Sequence, residues 1–341
     1  MKKYLLIVLL VGFCIGKEQT ISDGPYIFIE KNELIEKIII NSRVISKSLK
    51  TSSYDTIYQA EKSTFNKIKK IAAISDIHGQ YDLLIELLQN NRIIDKSLNW
   101  SFGKGHFVIV GDIFDRGDKV NEILWFIYEL EVQAKNQGGR VHYLLGNHEY
   151  MVLYNDLRYI HEKYDVSSKL LNLEYDELYG NNTIIGRWLR SKSTIIKIND
   201  NIFTHGGISK DFITYKNFNI EKINNTMRRS IPRLKELRKL RKEGQSNNFY
   251  DMYFGNKSLI WYRGYFEEDM TDTDILSILQ LVDANHIVVG HTSNEKVIQL
   301  YDNKIIGVDS SIKKGNYGEL LIIKNDRFFR ATLNGKLIEL N

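Results

Sequence analysis

Six short apolar runs punctuate the chain, each closed by polar or glycine residues: Ile71 to Ile74, Phe107 to Val110, Val141 to Leu145, Ile195 to Ile198, Ile202 to Thr204 and Ile287 to Val289. Runs of this length, rich in β-branched residues, predict buried strands. Between the first three lie Tyr81 to Leu88 and Val120 to Ala134, whose apolar residues recur at three- and four-residue spacing, as on one face of a helix. The resulting β-α-β-α-β order predicts an α/β fold in which helices pack on a sheet. Nearer the N-terminus, residues 26–30 and 34–40 are β-branched and aromatic and are separated by Lys31, Asn32 and Glu33, which predicts a hairpin. Polar, Ser/Lys-rich sequence then continues to about Lys70, and no internal repeat is evident.

The 341 residues are 43% hydrophobic and 26% charged, enough to bury a large core. With two prolines, Pro25 and Pro232, and no Ser/Gly-rich tract, nothing marks a linker. One domain over residues 17–341 is expected, with a helical, cap-like insert at about 209–258. Lys2 and Lys3 ahead of the apolar run Tyr4 to Ile15 have the form of a signal peptide ending at Gly16, and twelve apolar residues are too few to span a bilayer. Export to a bacterial periplasm or envelope follows, with lipid attachment to the membrane at Cys14 as the alternative processing route. Cys14 is the single cysteine, so no intrachain disulfide can form. The net charge of +5 is small for this length and gives no reason to expect a nucleic-acid partner. Arg228 to Lys242 concentrates eight basic residues with Leu234, Leu237 and Leu240 in step, and the simplest reading is a solvated helix packing one leucine face.

Polar residues that close the strands carry the chemistry. Ser75-Asp76-Ile77-His78-Gly79 follows the first core strand, Gly111-Asp112-Ile113-Phe114-Asp115-Arg116-Gly117 the second, and Gly146-Asn147-His148-Glu149 the third. Each of the latter two would arise by chance on the order of once in a thousand such chains. His205 in Thr204-His205-Gly206-Gly207 and His291 in Gly290-His291-Thr292 close two more strands in the same way. Ligands of open α/β sheets sit outside the carboxyl ends of strands, so five loops would deliver Asp76, His78, Asp112, Asn147, His205 and His291 to one rim. Hard oxygen donors mixed with imidazole suit Mn, Fe, Zn or Co, and the set is too large for one tetrahedral ion. Asp112 is the natural bridge between two cations, with Asp76 and His78 on one side and Asn147, His205 and His291 on the other. Such a pair, about 3.5–4 Å apart, clamps phosphoryl oxygens and acidifies a shared water for attack on phosphorus.

These segments resemble the signature blocks of the calcineurin-like metallophosphoesterase superfamily. Arg116 after Asp115, and the His-Gly-Gly form at His205, resemble its phosphoprotein phosphatase branch. Leu259-Ile260-Trp261-Tyr262-Arg263-Gly264 and Gly24-Pro25-Tyr26-Ile27-Phe28 look most like the bacterial Shewanella-like protein phosphatases. The resemblance implies a β-sandwich flanked by helices with a dinuclear site at its edge, two divalent ions as cofactors, and hydrolysis of phosphomonoesters by a metal-bridging hydroxide. It further implies His148 as the acid that protonates the leaving oxygen, Asp115 as its orienting partner, and Arg116, Asn147 and Arg263 as phosphate contacts. Where the eukaryotic regulated phosphatases carry Ser-Ala-Pro-Asn-Tyr, this chain has Val308-Asp309-Ser310-Ser311. Asp309, Ser310 and Ser311 are assigned to a loop without a role.

The expected substrate is a phosphorylated protein, on Ser/Thr, on Tyr or on both. Two rivals are a phosphatase of small phosphoesters such as dinucleoside polyphosphates or nucleotides, and a non-catalytic envelope protein that keeps the metals for structure. The block from Trp261 to Gly264 disfavours the first, and the intact His148 and Arg116 disfavour the second. His106, His142, His161 and His286 fall outside the motifs and are read as structural.

Overall fold

The computed structural model describes residues 20–215, 217–245 and 248–340. The expected leader and Cys14 lie outside them. Near the N-terminus β1 (Asp23–Glu30), β2 (Glu33–Ile40) and β3 (Arg43–Leu49) form an antiparallel meander, with Glu30 paired to Glu33 and Ile40 to Arg43. The hairpin of the sequence reading is thus extended by a third strand. Its sequence, RVISKSL, is almost wholly exposed, so it carries no apolar stripe that a hydrophobicity pattern would reveal. Trp125 Nε1 donates to the Pro25 carbonyl at 2.8 Å, and the Ile29 amide donates to Asn182 at 2.7 Å, which fixes the meander to the main body.

The main body begins with β4 (Thr64–Phe65) and β5 (Lys70–Ile74), and continues through α1 (Tyr81–Asn90), β6 (His106–Ile109), α2 (Val120–Asn136) and β7 (Arg140–Tyr143). Strands β5, β6 and β7 are parallel neighbours, and α1 and α2 are their crossovers. Next come α3 (Asn147–Leu153), α4 (Glu162–Leu171), α5 (Ile184–Ser191), β8 (Ile195–Ile198) and β9 (Asn201–Thr204). A helical stretch follows, α6 (Lys210–Tyr215), α7 (Ile220–Ser230), α8 (Leu234–Lys242) and α9 (Asn248–Phe254). After α10 (Gly264–Glu267) and α11 (Asp272–Val282) the chain returns to strands: β10 (His286–Val289), β11 (Ile298–Leu300), β12 (Ile305–Gly307), β13 (Glu319–Lys324), β14 (Arg327–Thr332) and β15 (Leu337–Glu339). One six-stranded sheet has the order β15-β14-β13-β5-β6-β7, the other β11-β12-β10-β9-β8-β4.

Strand sequences explain why the two sheets stack. In β5, Ile71 and Ala73 face a layer shared with Val108, Ile196, Phe203, Val288, Ile306 and Leu321 from both sheets. The alternate residues Ala72 and Ile74, with Phe107 and Ile109, join Leu84 and Leu87 of α1 and Ile123 and Ile127 of α2. Both faces of the central strands are therefore buried, as their unbroken apolar runs require, and each aliphatic side chain removed from water contributes about 1.5–3 kcal/mol. The α/β class and the helix-flanked sandwich agree with the sequence reading. So does the leucine face of the basic segment: Leu234 and Leu237 are buried, while Lys235 pairs with Asp176, Arg238 with Asp156 and Arg241 with Asp251.

Candidate active site

Parallel strands β5, β6 and β7 end on one side, and in the second sheet β9, β10 and β12 are likewise parallel. The loops after these six strands meet where the two sheets come together. The Asp76 amide donates to Gly111 at 3.1 Å and the His78 amide to Asp112 at 3.0 Å. Across the sandwich, His205 Nδ1 bonds the Val110 carbonyl at 2.7 Å and the His291 amide bonds Asp76 Oδ2 at 2.8 Å.

Motif glycines make this convergence possible. A Cβ on Gly117 would stand 2.4 Å from the His78 carbonyl oxygen, and one on Gly146 would stand 2.3 Å from Asp112 Oδ1. Backbone strain gathers here as well. Asp76, His78, Asp112, Asp115, Arg116 and His291 all have positive φ, between 45° and 72°, a region that residues with a Cβ seldom occupy. Non-glycine strain of this kind persists only where surrounding contacts enforce it, and it concentrates at functional sites. Glu149 supplies much of that enforcement: its buried carboxylate accepts from the amides of Asp112, Ile113, Phe114 and Gly146 and from the Tyr143 hydroxyl, at 2.7–3.3 Å.

Asp112 occupies the centre. Its Oδ2 lies 3.7 Å from His78 Nε2, 3.8 Å from His148 Nε2 and 3.1 Å from His205 Nε2. His78, Asp112 and His148 can converge on one cation, and Asp112, His205 and His291 on another. Asp76 Oδ1 is 3.8 Å from His78 Nε2, and Asn147 Oδ1 is 2.8 Å from His205 Nε2, so the other five expected ligands gather around Asp112.

The imidazoles are set up as metal ligands. A carbonyl can only accept, so the bonds from His78 Nδ1 to Phe114 O (2.6 Å) and from His205 Nδ1 to Val110 O put a ring hydrogen on Nδ1 and turn Nε2 toward the cluster, free in His78 and facing Asn147 Oδ1 and Asp112 Oδ2 in His205. The Nε2 atoms of His78 and His291 are buried without a hydrogen-bond partner. Burial is the largest influence keeping both rings below the usual histidine pKa, hence neutral and able to coordinate. Burial opposes ionisation of Asp76 and Asp112, but neighbouring imidazoles hold both well below the usual carboxylate range. Burial also opposes protonation of His205, yet Asp112 outweighs it and pushes that ring up to about 9. Orphaned imidazole nitrogens facing shared carboxylates fit a pair of divalent cations.

His148 differs from these rings. Its Nδ1 lies 2.5 Å from Asp115 Oδ2, and its Nε2 faces the cluster. Burial lowers its pKa, but Asp112 and Asp115 prevail and leave it above the ordinary value. Arg116 is exposed and lies over the Tyr159 ring at 5.4 Å, which also contacts His148 at 5.3 Å. Arg263 Nη1 donates to the His291 carbonyl at 3.0 Å, and Trp261 stands edge-on to the His291 ring at 5.3 Å. Both arginines therefore stand beside the cluster.

The model of the calcineurin-like phosphoesterase family matches residues 69–294. The chain belongs to this family. The phosphoesterase is 43% identical to a solved cold-active protein-tyrosine phosphatase of a psychrophilic Shewanella species. That likeness covers 94% of this chain and the whole of the other, with a TM-score of 0.88. It is also 25% identical to Shewanella-like protein phosphatase 2 of Arabidopsis thaliana, over 85% of this chain and 83% of the relative, and 26% identical to Shewanella-like protein phosphatase 1 of Plasmodium berghei, over 93% and 84%. It is a metal-dependent phosphatase, similar to the Shewanella-like protein phosphatases.

Two contributors escape a motif-based reading. Glu149 is the fourth residue of Gly146-Asn147-His148-Glu149, and its signal is that spacing, yet only the structure shows which amides it gathers. The loop after β12 brings Asp309 and Lys313 to the site, with Lys313 Nζ 2.8 Å from Asp309 Oδ2 and 3.4 Å from Asp76 Oδ1. Its signal is the same grammar of an apolar run, Ile305 to Val308, followed by an acid. The four histidines outside the motifs stay away from the cluster: His106 and His142 bond each other at 2.9 Å, His161 caps α4, and His286 bonds the Asn303 carbonyl at 2.8 Å.

Proposed function

We propose that the enzyme is a protein phosphatase that hydrolyses phosphotyrosine, with phosphoserine and phosphothreonine as slower substrates. The observation that carries this reading is the His148–Asp115 pair facing a shared-carboxylate cation site, in a chain 43% identical to a protein-tyrosine phosphatase along nearly its whole length. Asp76, His78 and Asp112 would hold one divalent ion, and Asp112, Asn147, His205 and His291 the other, with Mn, Fe or Zn best matched to the mixed donors. When bound, such ions supply charge neutralisation at phosphoryl oxygens and an acidified water.

The chain's own groups do the rest. Asp115 accepts from His148 Nδ1 and, with Asp112, favours the imidazolium, so a proton stays at Nε2 for the departing oxygen. Arg116 and Arg263 offer forked donors to the remaining phosphate oxygens. Asn147 Oδ1, close to His205 Nε2, would serve as a neutral ligand while its amide Nδ2 binds phosphate. Lys2, Lys3 and the apolar run behind them support an exported enzyme.

The test compares manganese-loaded protein on matched phosphotyrosine and phosphoserine peptides. Turnover of both, faster on phosphotyrosine and abolished by strong chelation, is the expected outcome. Equal or greater turnover of dinucleoside polyphosphates at the same concentration would overturn the assignment.

A further inference from the structure

Asp76 has one oxygen already in use: Oδ2 accepts from Ser75 Oγ at 2.6 Å and from the His291 amide at 2.8 Å. Oδ1 is left to face a cation, and it is this atom that Lys313 Nζ approaches, at 3.4 Å. The ammonium is no stray surface group. Its side chain is 16% exposed and is held at 2.8 Å by the fully buried Asp309. Asp309 is itself fixed by the Ser311 amide at 3.0 Å and the Ser293 hydroxyl at 2.9 Å.

Electrostatics make this placement informative. A positive charge beside the free oxygen of a metal-binding carboxylate repels a dication at that oxygen, so a site built only to hold metal would be better served by a neutral residue. Asp309 limits the repulsion by making the pair neutral, and it fixes where the ammonium stands. The species that gains from an ammonium at this position is an anion held by the same cluster. A phosphate dianion fits, because a lysine is a compact point charge with three donors, two of which Asp309 and Asp76 can engage, leaving a third.

We infer that Lys313, anchored by Asp309, is a substrate-phosphate contact on the Asp76 side of the site, in addition to Arg116 and Arg263. The inference rests on the phosphatase reading and adds a residue to it. It also gives a function to the segment in which this chain departs from the Ser-Ala-Pro-Asn-Tyr sequence of the eukaryotic regulated enzymes.

The experiment uses the full manganese-loaded enzyme with inorganic phosphate as the probe. Inhibition by phosphate and KM for phenyl phosphate are measured alongside Mn2+ affinity, the last by calorimetry on chelated protein. Lys313→Met should raise both the phosphate inhibition constant and KM about tenfold, as expected for a lost charged hydrogen bond, and should leave Mn2+ binding unchanged or tighter. Lys313→Arg should restore phosphate binding to within about threefold. Asp309→Asn should weaken Mn2+ binding, because the ammonium then loses its counter-charge. If Lys313→Met does not fold, Lys313→Gln replaces it. Phosphate inhibition unchanged in the variant, or weaker Mn2+ binding with phosphate inhibition intact, would overturn the inference and make Lys313 a support for Asp76. A wild-type enzyme inert toward every phosphomonoester would instead refute the phosphatase reading, while calorimetry with phosphate would still report on Lys313.

Discussion

His148 and Asp115 illustrate how much of the chemistry depends on single contacts. With Asp115 at Nδ1, the imidazole is oriented and biased toward its charged form. His148→Asn should lower kcat on phenyl phosphate by about 10²- to 10⁴-fold, the usual contribution of a general acid. The loss should shrink with p-nitrophenyl phosphate, whose leaving group needs no proton; equal losses on both substrates would contradict the assignment. Asp115→Asn removes an influence that raises the His148 pKa, so the alkaline limb of the kcat profile should move to lower pH. A limb that stays in place would show that Asp115 does not govern the acid. Glu149 works one step further out, since five donors converge on its carboxylate. Glu149→Gln leaves buried amides facing an NH2 group, a cost of about 1–3 kcal/mol that a thermal melt would register, with metal affinity lost in parallel.

At the level of elements, the site is made by strands that end together and loops that approach closely. Gly117→Ala isolates the second effect, because Gly117 is not among the residues with positive φ and what stands against a methyl group is its clash with the backbone of the facing loop, the His78 carbonyl oxygen at 2.4 Å and the Gly79 carbonyl carbon at 2.9 Å. The variant should lose at least about tenfold in kcat/KM while its fold, followed by circular dichroism, survives a strain of about 1–3 kcal/mol. Wild-type activity would mean that the Asp76–His78 loop and the Asp112–Arg116 loop need not touch. The same elements show what a sequence makes legible. Ile71 to Ile74, Phe107 to Val110 and Val141 to Leu145 stand out because both faces of their strands are buried, and the acids and imidazoles that follow them are chemically conspicuous. β3 is silent because both of its faces are largely in water. The loop after β12 is silent because Asp309 and Lys313 look like an ordinary charged turn until the strand order brings them to Asp76. Glu149 stands in plain view and its spacing from Gly146 is that of a capping box, but its role depends also on amides 35–37 positions away, and no spacing rule discloses those contacts.

Across the whole molecule, the two sheets are joined at the site by His205 and His291 on one side and Asp76 and Asp112 on the other, so cation binding and fold stability are linked. His205 is pushed up to about 9, so at pH 7 it carries a proton that a ligated cation must displace. Calorimetry of Mn2+ binding to chelated protein, in buffers of different ionisation enthalpy, should show release of about one proton at pH 7, falling to about half a proton at pH 9 and almost none above about pH 10. Its elevated pKa also means that the His205–Asp112 pair stabilises chelated protein fully below about pH 6.5 and loses that contribution as pH rises through 9. Loss of stability on acidification between pH 9 and 6.5 would have the wrong sign. Central to the account is a pair of cations sharing Asp112, and crystals soaked with Mn2+ and phosphate, measured at the manganese edge, examine it directly. Two anomalous peaks flanking Asp112 are expected, one beside Asp76 and His78 and the other beside Asn147, His205 and His291, with phosphate against both. One peak, no peak, or His205 and His291 turned away from Asp112 at saturating Mn2+ would contradict it.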